Sequence, residues 1–350
     1  MDLTDYLLAE YDRHSSLEPQ DVVKLCYQAA FGAEHMLQDA SNALAYFREE
    51  YGAVPADEKP LAEYIAPTVC RVNLSAWKRL NLNPDWLWRL FLASASLKRE
   101  NKDFESFIAQ AEKLCHDGEL PFTLAQWRAF VHQYESLDNR PPVRHSKAYR
   151  EKEMPAYRIV SGLPAALLPI IERLAGLNKG VIAIDGRAAA GKTTLANILA
   201  DILHEDKPGI IRMDDFFLPP ELRTAERLAQ PGGNIHHERF AEEVLPYIKT
   251  GQGFNYRKFD CSKMDYNGEV AISSQSWQVV EGVYSGHPVL GDYMDVRIFL
   301  DVQPNEQQVR IEKRNSTKVA ANYFTKWIPM EEAYFDAYKI RKSADLVLQF

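Results

Sequence analysis

Cysteine is scarce in this 350-residue chain, and the four it has (Cys26, Cys70, Cys115 and Cys261) stand far apart with no C-x-x-C pair. That excludes a disulfide framework and a cysteine-based zinc site, and a reducing, cytoplasmic setting is expected. No apolar run approaches the ~18 residues a membrane helix needs. The start, Met1-Asp2-Leu3-Thr4-Asp5, lacks the basic segment and apolar stretch of a secretion signal. A soluble protein without a membrane partner is therefore expected. Positive charge is also in deficit, with 41 Lys+Arg against 49 Asp+Glu and a formal net charge of −8. Nucleic-acid binding draws most of its affinity from neutralised phosphates, so that class of partner is not expected either. What remains is ordinary globular composition, 46% hydrophobic and 26% charged, which excludes disordered, collagen-like and coiled-coil chains. The length suits about two domains.

Residues 1–137 read as an all-helical domain of unassigned role, with no strand pattern. From Asp21 to Tyr51, apolar residues recur every three or four positions, the stripe of a single helix. Asn83-Pro84-Asp85 is a helix start, with an Asn cap, a Pro at the first helical position and an acid near the positive end of the dipole. Trp77, Trp86, Trp88 and Trp127 read as core. Residues 138–158 are polar and basic, with adjacent prolines at 141 and 142, and read as a linker or arm. In residues 159–350 the pattern changes. Short apolar runs at Val181–Ile184, Gly209–Met213, Trp277–Val280, Val296–Leu300 and Leu346–Leu348 alternate with helical segments. Buried strands separated by helices predict an α/β domain built on a mostly parallel sheet.

The most specific signal lies just after the first of these strands. Gly186-Arg187-Ala188-Ala189-Ala190-Gly191-Lys192-Thr193 matches G-x-x-x-x-G-K-[ST], with a strand before it and a helix from Thr194 after it. In such a loop, backbone N–H groups and the helix N-terminus hold phosphates. Lys192 reaches the terminal phosphates and Thr193 ligates Mg²⁺. Residues Gly186 through Thr194 are accordingly the candidate nucleotide-binding segment, with ATP and Mg²⁺ as the expected ligands. The stretch fits a P-loop NTPase-type parallel-sheet domain.

Other polar residues must say what the phosphates are for. Asp214 and Asp215 follow a strand, at the end where α/β sheets bind ligands, and one acid there can take the proton of an attacking hydroxyl; a helix cap or solvated turn is the plainer alternative. Glu281 closes a second buried strand and suits the metal side of the site. Arg310 and Arg314, four apart on a helix, can clamp a transferring phosphoryl group, although Glu306 also stands one turn before Arg310 as an ordinary surface pair. Tyr256 and Arg257 are candidate contacts for an anionic substrate, with a plain surface role equally open. His236-His237-Glu238 reads as a turn beside the pocket rather than a metal site.

Taken in order, the loop, Asp214-Asp215-Phe216-Phe217, Phe259-Asp260, Glu281-Gly282 and the two arginines resemble the uridine kinase and phosphoribulokinase-like P-loop kinases across about residues 178–350. The resemblance implies ATP-dependent phosphorylation of a hydroxyl on a small metabolite such as a nucleoside or sugar. It implies Asp214 as general base, Glu281 near the metal, and Arg310 and Arg314 on a lid helix. Phe217, Arg257, Phe259 and Asp260 fall to the substrate. The sequence departs from the family pattern where Ala188 and Ala190 replace serine and Phe259 replaces tyrosine. A pyrimidine-reading histidine is also absent beyond Asp260, which leaves the acceptor open. An ATP-binding switch protein whose helical domain responds to nucleotide is the alternative. Preference for ATP over GTP, and assembly as a homo-oligomer, are left open.

Overall fold

The computed structural model describes residues 3–33, 39–97, 103–138, 140–203 and 209–349. The chain divides into two units, Met1–Gly176 and Leu177–Phe350.

The first unit is mainly helical, and local capping explains where its helices begin. Asp39 accepts from the N–H groups of Ser41 and Asn42 to start Ala40–Ala53. Asn83 accepts from Asp85 N–H at 2.9 Å to start Pro84–Ala95. Thr123 and Gln126 form a reciprocal capping box for Leu124–Glu135. The four tryptophans Trp77, Trp86, Trp88 and Trp127 are buried. The single stripe expected from Asp21 to Tyr51 is in fact two helices, Pro19–Phe31 and Ala40–Ala53. The first stops at Gly32, whose φ of +61° is left-handed and ends the helical run.

The expectation of an all-helical unit needs correction. Strands β1 (Ala62–Ala66), β2 (Val69–Asn73) and β3 (Tyr157–Ser161) form an antiparallel sheet in that order. All five residues of β2 are buried, Arg71 and Asn73 among them. Its sequence therefore shows neither alternation nor a clean apolar run. Arg71 is accommodated by Glu10, with which it pairs, and by Gln28 Oε1, which accepts from Nε at 3.2 Å and Nη2 at 3.0 Å.

Residues 138–158 are likewise not a linker. His145 Nδ1 lies 2.9 Å from Asp21 Oδ1, and Ser146 N–H donates to the same oxygen. Ser146 also caps the helix Lys147–Glu153, which buries Tyr149. Because β3 pairs with β2, residues 159–176 belong with the first unit rather than with the sheet domain that follows.

The second unit is built on a five-stranded parallel sheet in the order β10-β9-β4-β8-β5, comprising Leu346–Gln349, Val296–Asp301, Gly180–Gly186, Trp277–Glu281 and Ile210–Arg212. These are the apolar runs seen in the sequence, and the central strands read as continuous because both faces are covered. A separate antiparallel hairpin joins β6 (Phe254–Asp260) to β7 (Asp265–Ile272). In the sheet register Glu281 on β8 stands opposite Ile184 on one side and Arg212 on the other. The carboxyl ends of β4, β8 and β5 thus deliver Asp185, Glu281 and Asp214 to one edge. No helix among the described residues is long and apolar enough to cross a membrane.

Candidate active site

The loop after β4 departs sharply from the strand. Gly186 has φ +137°, and a Cβ there would sit 2.1 Å from the carbonyl oxygen of Leu300. Only glycine allows that approach. Ala189 is also left-handed, at φ +58°, a conformation that costs a non-glycine residue about 1 kcal/mol or more. Among the described residues, the N–H groups of Ala189, Gly191, Lys192, Thr193 and Thr194 meet no acceptor. They line the turn into the helix Lys192–Leu203. An open row of donors at a helix N-terminus is an anion cradle. Lys192 Nζ lies over it, donating to the carbonyls of Gly186 and Arg187 at 2.8 Å each.

Thr193 Oγ1 lies 3.2 Å and 3.3 Å from the two oxygens of Glu281. Glu281 is buried and also accepts from Arg212 Nη1 at 3.1 Å. Burial, aided by the neighbouring Asp214 charge, pushes its carboxyl above the ordinary range.

The two adjacent acids after β5 have different fates. Asp215 is buried and accepts from the Tyr256 hydroxyl at 3.0 Å, while its carbonyl accepts from Arg239, whose guanidinium packs 4.2 Å over the Phe216 ring. Asp214 is exposed, and its carboxylate has no hydrogen-bond partner among the described residues. Its charge is felt at Glu281, at Glu331 and at the Cys261 thiol on the turn joining β6 and β7. The structure therefore gathers Lys192, Thr193, Glu281 and Asp214 into one centre.

The helix Pro304–Arg314 docks on the loop. Arg310 donates to the Ala189 carbonyl at 3.3 Å while keeping the expected surface pair with Glu306, which places its guanidinium beside the loop. Arg314 is exposed and donates to the Tyr323 hydroxyl instead.

The expected substrate contacts are less well gathered. Arg257 is held by Glu243, through its side chain at 2.6 Å and its backbone N–H at 2.9 Å, and lies against the Tyr266 ring. That is a structural engagement rather than a free cation. Phe259 is buried with Tyr266 edge-on to it. Asp260 accepts from the backbone and hydroxyl of Ser262 and from Asn267, which fixes the hairpin turn. Phe217 is half-buried and bridges to Ile235. His236 and His237 form no metal-binding group among the described residues.

Sequence reasoning missed the helix Ile328–Tyr338, which reaches the loop through Glu331 and Glu332 and the strand before it through Tyr334. Glu331 is buried, and its carboxylate accepts from Ala188 N–H at 3.0 Å. Burial pushes it up to about 7, against the pull of Lys192 and this hydrogen bond. Glu332 pairs with Arg187, which also donates to Asp301 at 2.8 Å. Tyr334 donates its hydroxyl to the buried Asp185 at 2.8 Å. Gln307, also missed, donates to the Ala188 carbonyl at 3.0 Å.

No family model matches the chain. Among curated proteins it is similar to uridine kinase-like protein 5 of Arabidopsis thaliana, 24% identical over 184 residues, which is 48% of this chain and 38% of that protein. Uridine kinase-like protein 3 of the same plant is 24% identical over 148 residues, 39% of this chain and 31% of that one. The chain thus spans well under half the length of either relative. Among solved structures, a chain described as a possible uridine kinase from Bacillus stearothermophilus is 19% identical, covering 53% of this chain and 96% of that one with a TM-score of 0.40. Over about half its length the protein is similar to uridine kinase-like P-loop kinases. Its architecture is a P-loop parallel-sheet domain preceded by a mainly helical unit.

Proposed function

We propose that the second unit is a phosphotransferase that moves the γ-phosphoryl group of ATP to a hydroxyl of a small metabolite, a nucleoside, sugar or related polyol. The observation that carries this reading is the pairing of an unpartnered, exposed Asp214 with the Thr193–Glu281 oxygens, 3.2 Å apart, beside an open row of loop N–H groups. A nucleotide switch has no need of a free carboxylate at that point.

In this mechanism the open N–H groups of Ala189, Gly191, Lys192, Thr193 and Thr194 and the Lys192 ammonium hold the phosphates, Lys192 exchanging its two loop carbonyls for phosphate oxygens. Thr193 and Glu281 offer a hydroxyl and a carboxylate, the hard oxygen donors Mg²⁺ prefers. Glu281, whose charge is disfavoured by burial and by Asp214, gains from a cation there. The bound metal would neutralise charge on the phosphates. Asp214 accepts the proton of the acceptor hydroxyl as its oxygen bonds to the γ-phosphorus. The bond to the β–γ bridging oxygen breaks, and ADP leaves. Arg310, anchored on Ala189, stabilises charge on the moving group, and Arg314 sits one turn further along the same helix. Phe217 and the hairpin carrying Phe259, Asp260 and Cys261 bound the acceptor side. Catalysis of this type is mostly positioning and electrostatics.

The test is ADP release from Mg·ATP across a panel of nucleosides, sugars and polyols, for wild type, Lys192→Ala and Asp214→Asn. Stimulation by one acceptor class, lost in both variants, is the expected result. ATP binding with no acceptor raising turnover supports a nucleotide-binding switch instead.

A further inference from the structure

The first unit holds a feature that the phosphotransferase reading does not use. A cleft of about 700 Å³ is lined by Lys24, Arg144, Arg150, His145, Tyr46 and Met154, among others. Its volume falls in the range of pockets that hold small ligands, roughly 300–1,000 Å³.

The three cations share this concave surface without a carboxylate. Lys24 donates to the carbonyl of Val143 at 3.0 Å, and Arg150 Nε to that of Ser146 at 3.3 Å. Arg144 extends an exposed guanidinium. The nearby acids are engaged elsewhere. Asp21 is held by His145 and by Ser146 N–H, Glu151 by Lys147, and Glu153 by His14 and Ser16. Burial and the charge of Arg71 pull the Lys24 ammonium down to about 8, with Asp21 only partly opposing them. Like charges focused in a concavity favour an anion.

His145 adds a neutral wall. Its ring nitrogens are taken by Asp21 at 2.9 Å and the Tyr157 hydroxyl at 2.6 Å, and burial pulls it down to about 4. At the cleft, Tyr46 is 64% and Met154 73% exposed. Both keep much of their surface open to solvent, with the Arg158 guanidinium 5.8 Å from the centre of the Tyr46 ring.

We infer that this cleft binds a small phosphorylated metabolite that carries a ring, with the phosphate among Lys24, Arg144 and Arg150 and the ring against Tyr46 and Met154. Guanidinium groups suit phosphate because their paired N–H donors match its oxygens. An exposed aromatic face and a thioether suit a planar or sugar ring.

The test is calorimetric titration of the full chain with inorganic phosphate, AMP and UMP, using wild type, Lys192→Ala, Arg144→Ala/Arg150→Ala and Tyr46→Ala. The Lys192→Ala background removes the phosphate loop's share of binding. Both arginines are exposed, and circular dichroism checks that their removal leaves the fold intact. The expected result is an isotherm that survives Lys192→Ala and weakens at least tenfold in the double arginine variant. A monophosphate should also bind more tightly than inorganic phosphate, a preference that Tyr46→Ala removes. Binding that needs Lys192 and ignores the arginines overturns the inference, as does no isotherm at all in the Lys192→Ala chain. Equal affinity for phosphate and monophosphate overturns the ring contact.

Discussion

Both units bury charged groups, but they settle them in opposite ways. In the first unit Arg71 is 1% exposed and meets an acceptor on each side. Glu10 carries its charge, Gln28 takes two of its donors, the Tyr149 hydroxyl donates to the same Glu10 oxygen at 3.3 Å, and the Tyr157 ring lies 5.0 Å away. In the second unit the groups around the phosphate loop are left mismatched. Lys192 has only carbonyls, Asp214 has nothing, and Glu281 and Glu331 are held above their ordinary range by burial. This largely paired network, in which only Glu10 Oε2 is left without a hydrogen bond, holds strands and helices in place. The mismatched one keeps donors and acceptors available for a ligand, at a cost in stability.

The largest stability effect expected is at the Arg71–Glu10 network. Arg71→Met leaves Glu10 buried without its counter-charge and destabilises the first unit by about 3–5 kcal/mol, readable as a large loss of urea midpoint. A loss under about 1 kcal/mol would show that the pair is not essential to the unit.

Glu331 gives the next largest effect, and of opposite sign. In the folded protein it titrates at about 7, and in the unfolded chain near 4.3. Between those values the folded state binds the extra proton. The stabilisation from this group is therefore present below the unfolded value and lost as pH rises through 7. Glu331→Gln mimics the protonated form. It should be nearly neutral at about pH 4 and stabilising by on the order of 3–4 kcal/mol at about pH 8, measured by denaturant titration at both. A gain independent of pH would show that the carboxylate's charge is not the cause.

Capping offers the smallest test, because it should depend on neither network. Asn83→Ala removes the acceptor for Asp85 N–H and should cost about 1 kcal/mol by thermal melting, equally at both pH values. A pH-dependent loss would tie this cap to a titrating group and blur the contrast.

The same contrast explains what the sequence made legible. The parallel strands were visible because the central ones are buried on both faces and each reads as a short apolar run, even the half-exposed edge strand Leu346–Gln349. The phosphate loop was visible because its glycines and lysine are local in sequence. Strand β2, Val-Cys-Arg-Val-Asn, was not, since two of its five residues are polar and find their partners far away, Gln28 lying 43 residues from Arg71. The role of Glu331 was equally hidden. An acid beside another acid on a helix reads as a solvated pair, and the N–H it meets is 143 residues distant. Tyr149, Ser146 and His145 looked like part of a basic linker because their burial comes from Asp21 and Glu10, which no local pattern announces. The residues alone placed Asp214 at a strand end, and only the family resemblance set it apart from Asp215. The physical difference lies in the Tyr256 and Arg239 contacts, which engage Asp215 from distant parts of the chain.

In the proposed reaction Asp214 acts on the acceptor and not on the nucleotide, so the most direct measurement compares ATP affinity with acceptor-dependent ADP release in wild type and Asp214→Asn. The prediction is ATP affinity within about twofold of wild type with turnover reduced by roughly 10²–10⁴. Equal acceptor-stimulated turnover in the two proteins would contradict it.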